Sequence, residues 1–471
     1  MTALNVAAWL ILPAGLLFIW VQVRRQLAEL DKLRRVAADA PQGAWPDVPV
    51  DLMSRAQLFE RARSEGSGRE EATGPLAMIA IGPADLNEMT DSLRHGAIMQ
   101  IIGEIARRLD RNTRSSEWIA QTTEGHFVLV LGPPINPYGA VRAATRLTEC
   151  LAAPIEVDGM PLQVDIFAGV AIGDDPERVL DDAEFALSRA RQTRKTAPHL
   201  YDPEERARVE ATFWQAQCLR SAVDREELHV AYQPLLSLET GELTGVEALL
   251  RWHSPTLGLV SPADFIPIAE DTGTIVELGG WVLERACRDL QEIAPHEPAV
   301  KTSVNVSVHQ LRRDGFIDVV RTALMATGLD PARLQIEVTE SMFANPAEVT
   351  PKLIALRELG VSIALDDVGT GYSSLGQLAT LPIDVIKLDR TLLAQREEAG
   401  DAADRIFTSI AALGRSLGLE VVAEGVETEE QSAVARQAGC THEQGFLRSR
   451  PVPVAEVAAF ARALRAGGHV S

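Results

Sequence analysis

Asp366 and Asp367 stand side by side in IALDDVGTGYSSL, residues 363–375, where an apolar segment ends in two carboxylates and runs at once into a glycine-rich turn. Adjacent residues of a strand point to opposite faces, so at most one of the pair shares a face with its apolar neighbours. Two carboxylates ionised this close together repel each other, and a divalent cation is a common way to offset that. Aspartates before a glycine are also ordinary turn chemistry, so the pair alone decides nothing. Four more apolar segments end in a polar residue that packing does not require: Glu247 in TGVEALLRW, Asn305 in TSVNVS, Glu337 in LQIEVTE and Glu424 in EVVAEGVE. A lone glutamate at a strand end reads most simply as a solvated rim residue, but the repetition of the pattern argues against that. Gathered at one rim, these side chains form a ring of oxygen donors suited to Mg²⁺ or Mn²⁺, and the scarcity of His and Cys at the same ends disfavours zinc. Lys387, in DVIKLD between the apolar Ile386 and Leu388, ends a sixth segment, where it could pair with carboxylates or act on a water. Two cations sharing an aspartate polarise a phosphodiester, lower the pKa of water and stabilise the leaving oxygen. The implied chemistry is hydrolysis of a phosphoester.

Such residues need a frame that brings distant strand ends together. From about Gln215 onward the chain carries eight short apolar segments, HVAYQPLL, TGVEALLRW, TSVNVS, LQIEVTE, VSIALDD, DVIKLD, EVVAEGVE and the weaker THEQGFL, most of them separated by helical patterns. Eight strand-helix units in about 250 residues is the arithmetic of a TIM-like (β/α)8 barrel, whose active sites gather at the carboxyl ends of the strands. Residues 75–200 alternate strands and helices at a spacing that predicts a compact α/β, ferredoxin-like domain. Residues 201–214 read as a polar helical linker, and residues 215–468 as the barrel.

The N-terminal part has a different character. Residues 1–23 contain NVAAWLILPAGLLFIWV, an uncharged run near the minimum that spans a bilayer, with Trp9 and Trp20 placed for the two interfaces. Arg24, Arg25, Lys32, Arg34 and Arg35 follow it, which predicts an uncleaved, single-pass transmembrane anchor with the remaining domains cytoplasmic. Residues 24–74 read as a juxtamembrane amphipathic helix, broken at PQGAWPDVP, and a polar linker. The formal net charge of −21 disfavours a nucleic-acid polymer as partner, whereas a small anion remains compatible if bound metal and local Lys or Arg reverse the field. Four cysteines without a C-x-x-C pair point away from zinc and disulfides and suit a reducing compartment.

The barrel segments also carry a family resemblance. YQP, GVEALLRW, SVNVS, IEVTES, DDVGTGYSSL, IKLDR, VVAEGVET and EQGF follow in the order and context of the EAL domain, the cyclic-di-GMP phosphodiesterase family. The resemblance implies a TIM-like barrel whose first strand runs antiparallel, and opening of cyclic di-GMP to linear pGpG at a two-metal site holding Mg²⁺ or Mn²⁺. Carried over by position, Glu247, Asn305, Glu337, Asp366 and Asp367 match the metal ligands. Lys387 matches the lysine associated with the hydrolytic water, and Glu424 the glutamate proposed as base or second-metal ligand. Gln233, Arg251 and Gln444 match substrate-contacting positions, and Glu340, Thr370 and Glu427 match residues that hold the surrounding loops. Arg251 suits phosphate because its guanidinium offers a bidentate fork. Two positions depart from the pattern: Val368 stands where the family usually has Phe, and Arg448 where an aromatic is common. Neither removes a ligand, so an active enzyme is expected. The rival is a receptor that holds the dinucleotide uncut and signals through a protein partner.

Residues 75–200 resemble the GGDEF, or diguanylate-cyclase, domain in a degenerate form. The signature reads Thr123-Glu124-Gly125-His126-Phe127, the upstream metal aspartate aligns with Gly82, and the guanine-contacting positions align with Thr90 and Met99. Without metal carboxylates the polymerising chemistry has no basis, so a regulatory or dimerising module is expected, with the protein a homodimer. Arg114 and Glu117 form only a near miss of the family's product-inhibition motif. His126 and His442 read as incidental, and Tyr232 and Trp252 as barrel packing. By resemblance such proteins are bacterial, which would make the membrane the inner one.

Overall fold

The computed structural model describes residues 52–67, 75–84, 93–114, 117–122, 126–132, 135–293, 297, 299–344, 346–369, 375–394 and 401–465. The expected anchor lies outside them, and among the described residues no helix is long and apolar enough to cross a membrane. Two compact units divide the chain, Met1–Ala207 and Arg208–Ser471.

The first unit is built on β1 (Met53–Ser54), β2 (Leu76–Pro83), β3 (Glu117–Gln121), β4 (Phe127–Leu131), β7 (Ile166–Gly173) and β8 (His199–Leu200), in the order β1-β3-β4-β2-β7-β8. A small separate hairpin, β5 (Ile155–Val157) with β6 (Met160–Leu162), precedes β7. The four central strands pair antiparallel, and with helices His95–Asn112 and Pro137–Leu151 they give the β-α-β-β-α-β order of a ferredoxin-like sheet. Alternation along β2 explains why both faces are covered. Ala77, Ile79 and Ile81 meet the Ile98, Ile101, Ile105 and Leu109 stripe of helix His95–Asn112, while Met78 and Ala80 face Leu58, Leu180 and Leu187. Leu58 lies in helix Arg55–Ser67, and β1 pairs parallel to β3. Residues 52–67, expected within a linker, therefore belong to this sheet and its core; β3, whose pairing holds them, is a strand that its own short sequence EWIAQ does not advertise.

In the second unit all eight expected segments are strands: β9 (Leu228–Ser237), β10 (Leu243–Ser254), β12 (Lys301–Asn305), β13 (Leu334–Thr339), β14 (Ser362–Val368), β15 (Val385–Leu388), β16 (Glu420–Ala423) and β17 (His442–Glu443). A ninth, β11 (Gly258–Val260), forms a hairpin on β10. The sheet closes because β9 pairs with both β10 and β17, antiparallel to each, while the remaining neighbours run parallel. This is the TIM-like barrel with one reversed strand.

The period-two pleat decides what reaches the barrel mouth. Ala364, Val385 and Val422 form a small apolar cluster with Leu235, whereas Ile336, Ile363, Leu365, Ile386 and Val421 belong to the large core shared with the helices. Two residues beyond each member of the small cluster, on the same face, stand Asp366, Lys387 and Glu424. The inner layer is thus apolar at one level and charged at the next.

Candidate active site

Lys387 Nζ is the centre of the site. It lies 2.6 Å from Glu424 Oε1 and 2.7 Å from Glu337 Oε2, and 3.5 Å from both Glu247 Oε2 and Asp366 Oδ1. Only 3% of the lysine side chain and 1% of that of Glu337 are exposed, so water does little to screen these charges. Glu247 also accepts from Asn305 Nδ2 at 2.7 Å and from Gln444 Nε2 at 2.6 Å, and Gln444 reaches Gln233 Oε1 at 3.3 Å. Residues from eight strands or strand ends thus meet in one hydrogen-bonded group.

The adjacent aspartates are accommodated by a bulge. Leu365 pairs with Ile386 and Val368 with Leu388, so β14 carries one residue more than β15 across this interval. Asp367 has φ +59°, and its N–H donates to Asp366 Oδ1 at 2.9 Å. Simple alternation, which would send the two carboxylates to opposite faces, therefore does not hold here. Val368 is buried in the main core opposite Leu388. Arg448 joins Glu443, at 2.7 Å, to Glu429, at 3.0 Å, and so ties β17 to helix Glu429–Ala438.

The other expected residues lie around this group. Arg251 sits four residues beyond Glu247 on β10, with Nη1 donating to the Leu250 carbonyl at 2.9 Å. Glu340 opens a short 3₁₀ helix after β13, and its Oε2 is buried with no hydrogen-bond partner among the described residues. Glu427 is exposed, and its backbone N–H donates to Gln431 Oε1 at 2.7 Å. Thr370 lies outside the described residues.

The electrostatics are lopsided. Burial opposes the charge of Lys387, but Glu247, Glu337, Glu424 and Asp366 overcome it and hold the ammonium well above its usual range. Burial likewise opposes ionisation of Glu247, yet Lys387 and the hydrogen bonds from Gln444 and Asn305 keep its carboxyl below the usual range. Glu337 goes the other way: burial, then the charge of Glu247, push it up to about 8 despite Lys387. Burial also raises Glu424 well above the usual range, and burial together with Asp366 and Asp389 raises Asp367. One lysine cannot neutralise this many carboxylates. The excess negative charge raises the proton affinity of Glu337, Glu424 and Asp367, and hard divalent cations would compete with those protons. The oxygen-rich donor set fits such ions. Among the described residues no three His, Cys, Asp or Glu side chains form a ready cage, because the carboxylates are drawn onto the Lys387 nitrogen.

A cavity of about 290 Å³ opens beside the group, with Glu247, Asp366 and Glu424 in its wall. Asp389, Arg390 and Phe446 also line it, and sequence reasoning assigned none of them a role. Their signal was position: Asp389 and Arg390 directly follow β15, and Phe446 lies two residues beyond Gln444. Tyr232 and Trp252 are fully buried, bonded to Asp289 and Glu227, and take no part in the wall. Gly445 allows the loops after β16 and β17 to meet: a Cβ there would stand 2.0 Å from the Val426 carbonyl oxygen. Gly445→Ala is expected to lower the unfolding free energy by about 1–3 kcal/mol, read from urea titrations.

Comparison with protein-family models matches residues 216–451 to the EAL domain and residues 44–197 to "Diguanylate cyclase, GGDEF domain". The chain belongs to the EAL-domain family. An uncharacterized signaling protein of Caulobacter vibrioides is 38% identical over 439 residues, covering 92% of this chain and 53% of the relative. Cyclic di-GMP phosphodiesterase NbdA of Pseudomonas aeruginosa is 34% identical, covering 98% of this chain and 60% of the relative. The bifunctional diguanylate cyclase/cyclic di-GMP phosphodiesterase MucR of the same organism is 35% identical, with coverages of 91% and 63%. The chain therefore spans about half to three-fifths of the length of these relatives. Among solved structures, the PaMucR phosphodiesterase in complex with c-di-GMP is 42% identical, covers 52% of this chain and 99% of its own, and superposes with a TM-score of 0.50.

In the GGDEF-like unit, Thr90 and Thr123-Glu124-Gly125 lie outside the described residues, but Gly82 and His126 do not. A Cβ at Gly82 would meet Arg191 Nη2 at 2.5 Å and the His126 ring at 3.0 Å, and those two side chains are themselves 3.0 Å apart. An arginine thus occupies the space into which an acidic side chain at residue 82 would extend. Glu117 of the near-miss motif is held by Arg146 at 2.9 Å. Burial and then the Arg191 charge depress His126 to about 4. The unfolded chain takes up this proton near pH 6.5 and the folded chain does so only near 4. The stability of this unit should therefore fall as pH drops from about 6.5 to about 4. His126→Gln should flatten that part of the profile in denaturant titrations at pH 7 and 5.

Proposed function

We propose that the EAL barrel hydrolyses cyclic di-GMP to linear pGpG with Mg²⁺ or Mn²⁺. The observation that carries this reading is the charge deficit at the barrel mouth, where Glu337 and Glu424 are pushed toward their protonated forms beside a single lysine. The names of NbdA and of the PaMucR complex supply the substrate class. Glu247, Asn305, Glu337, Asp366 and Asp367 would hold the cations. When bound, they supply Lewis acidity to the phosphoryl oxygens and to the attacking water.

The chain's own residues do the rest. Arg251, Gln233 and Gln444 bind and orient the cyclic dinucleotide, the arginine through its fork to a phosphate. Lys387, fixed by Glu337 and Glu424, orients the water oxygen, and Glu424, which bound cations would hold in its ionised form, accepts its proton. The water oxygen bonds to phosphorus as the bond to the 3′ oxygen breaks; that oxygen takes up a proton from solvent, Glu424 gives back to solvent the one it accepted, and the product keeps a 5′ phosphate. Retention of every carboxylate, with Val368 buried in the core, supports an enzyme over a receptor.

The GGDEF-like unit is proposed to be degenerate and regulatory, contributing to a homodimer or docking a protein partner. The N-terminal apolar run is proposed to anchor the chain in a bacterial inner membrane, with both units cytoplasmic. The test is to incubate the full chain with cyclic di-GMP and Mn²⁺ and follow pGpG by chromatography. Product that disappears with EDTA supports the reading; binding without product would replace it with the receptor. Incubation with GTP should give no cyclic di-GMP. Unchanged turnover and regulation after removal of residues 1–200 would refute the regulatory role.

A further inference from the structure

Glu443, the last residue of β17, is a carboxylate at a core position: only 4% of its side chain is exposed, and its Oε2 is buried with no hydrogen-bond partner among the described residues. Arg448 Nε donates to the other oxygen at 2.7 Å. The same guanidinium donates from Nη1 to Glu429 Oε1 at 3.0 Å, and from Nη2 to Glu429 Oε2 and to the Oγ of the buried Ser432, each at 3.4 Å. All three nitrogens of one planar group are thereby engaged on two elements, which the single ammonium of a lysine cannot reproduce. The aromatic side chain common at this position would leave Glu443 a buried charge without its cation.

Those two elements are the roots of two loops. The loop after β16 runs into helix Glu429–Ala438 and gives Glu424, Gly425 and Glu427 to the cavity wall, and the loop after β17 gives it Gln444, Gly445 and Phe446. The loops meet directly, the Val426 N–H donating to the Gln444 carbonyl at 3.1 Å and the Leu447 N–H to the Val426 carbonyl at 3.0 Å. Arg448, which is not among the residues lining the cavity, adds a second tie between them. From this we propose that Arg448 is a positioning residue: by locking β17 to helix Glu429–Ala438 it holds the two loops as one wall and sets the fit of the cavity to its substrate. Glu424 and Gln444 are held by the barrel itself, through N–H bonds to the Leu388 carbonyl at 3.1 Å and the Ala423 carbonyl at 2.9 Å. The tie therefore acts on binding and leaves the bond-breaking step to the group around Lys387.

This proposal rests on the reading of the barrel as a cyclic di-GMP hydrolase, and its test keeps the two separable. Arg448→Met alone strands the Glu443 carboxylate, so the decisive variant of the full chain is the pair Glu443→Leu with Arg448→Met. Exchanging a buried ion pair for apolar side chains is often neutral for stability, and the pair removes the tie and the buried charge together. It should raise KM for cyclic di-GMP about three- to tenfold, with kcat within about threefold of the parent. Arg448→Lys should fall between the parent and the pair. Glu429→Gln, which weakens the tie from its exposed end, should give a smaller rise, and adding it to the pair should change nothing further. Without substrate, amide hydrogen exchange at Val426 and Leu447 should quicken in the pair while Ile336, in β13, exchanges as in the parent. A parental KM in the pair, a Glu429→Gln effect that adds in full to it, or unchanged exchange overturns the positioning role. If the parent chain binds without cutting, calorimetric affinities of the same variants take the place of KM. A parent chain that neither binds nor cuts overturns the substrate reading and with it the fit, while the exchange rates still decide whether Arg448 ties the loops.

Discussion

Replacing Lys387 with methionine is expected to lower kcat by a factor on the order of 10² to 10⁴ and to destabilise the metal-free barrel by about 3–5 kcal/mol. The chain length is nearly preserved, so the loss is electrostatic: Glu247, Glu337, Glu424 and Asp366 lose the cation they share. The effect has a definite pH dependence. In the parent protein Glu337 titrates near 8, above its unfolded value, so the folded state holds this proton more tightly than the unfolded chain does. Its contribution to stability is present below about pH 4.5 and is lost as pH rises through about 8. Without Lys387 the carboxyls should rise further, making the variant's deficit larger at pH 8 than at pH 5. Saturating Mg²⁺ should recover more stability in the variant than in the parent, because it supplies the missing charge. Urea titrations with and without Mg²⁺ at the two pH values read all three effects.

Glu247→Ala should be comparably damaging to catalysis for a different reason. Glu247 accepts from Asn305, Gln444 and Lys387, so truncation leaves two amides and an ammonium short of an acceptor and removes a proposed ligand at once. A loss on the order of 10³ in kcat/KM is expected. Glu247→Gln separates charge from packing: it preserves volume, and a loss within about tenfold of the alanine variant would identify the charge as the important property. A nearly parental Glu247→Gln enzyme would show instead that Glu247 serves only to organise Asn305 and Gln444.

The barrel was legible because its information is local. Each strand is a short apolar run, and the pleat places Asp366, Lys387 and Glu424 two residues beyond inward-facing Ala364, Val385 and Val422. What was not legible depends on pairing between distant segments. The bulge at Asp366–Asp367 exists only because β14 gains a residue against β15, and nothing within IALDDVG records that register. Lys387 reads locally as one member of a rim, and becomes its hub only when four strands supply their carboxylates. The same limit explains residues 52–67: Met53–Ser54 is a strand by virtue of β3, more than sixty residues away, as the pairing of Met53 with Ala120 makes plain. Phe446 was hidden differently. Its sequence suits a core position, and only its exposure at the cavity wall distinguishes it.

Whether these oxygens hold metal decides the proposed hydrolytic role of the barrel mouth. Crystals of the full chain grown with Mn²⁺ and cyclic di-GMP, with diffraction collected at the manganese absorption edge, address this directly. Anomalous peaks are expected within about 2.0–2.5 Å of oxygens from Glu247, Asn305, Glu337 and Asp366, with Lys387 Nζ displaced from at least one of its present partners. Manganese absent from the barrel mouth, with Lys387 still bound to Glu337 and Glu424 while the dinucleotide is in place, would contradict it.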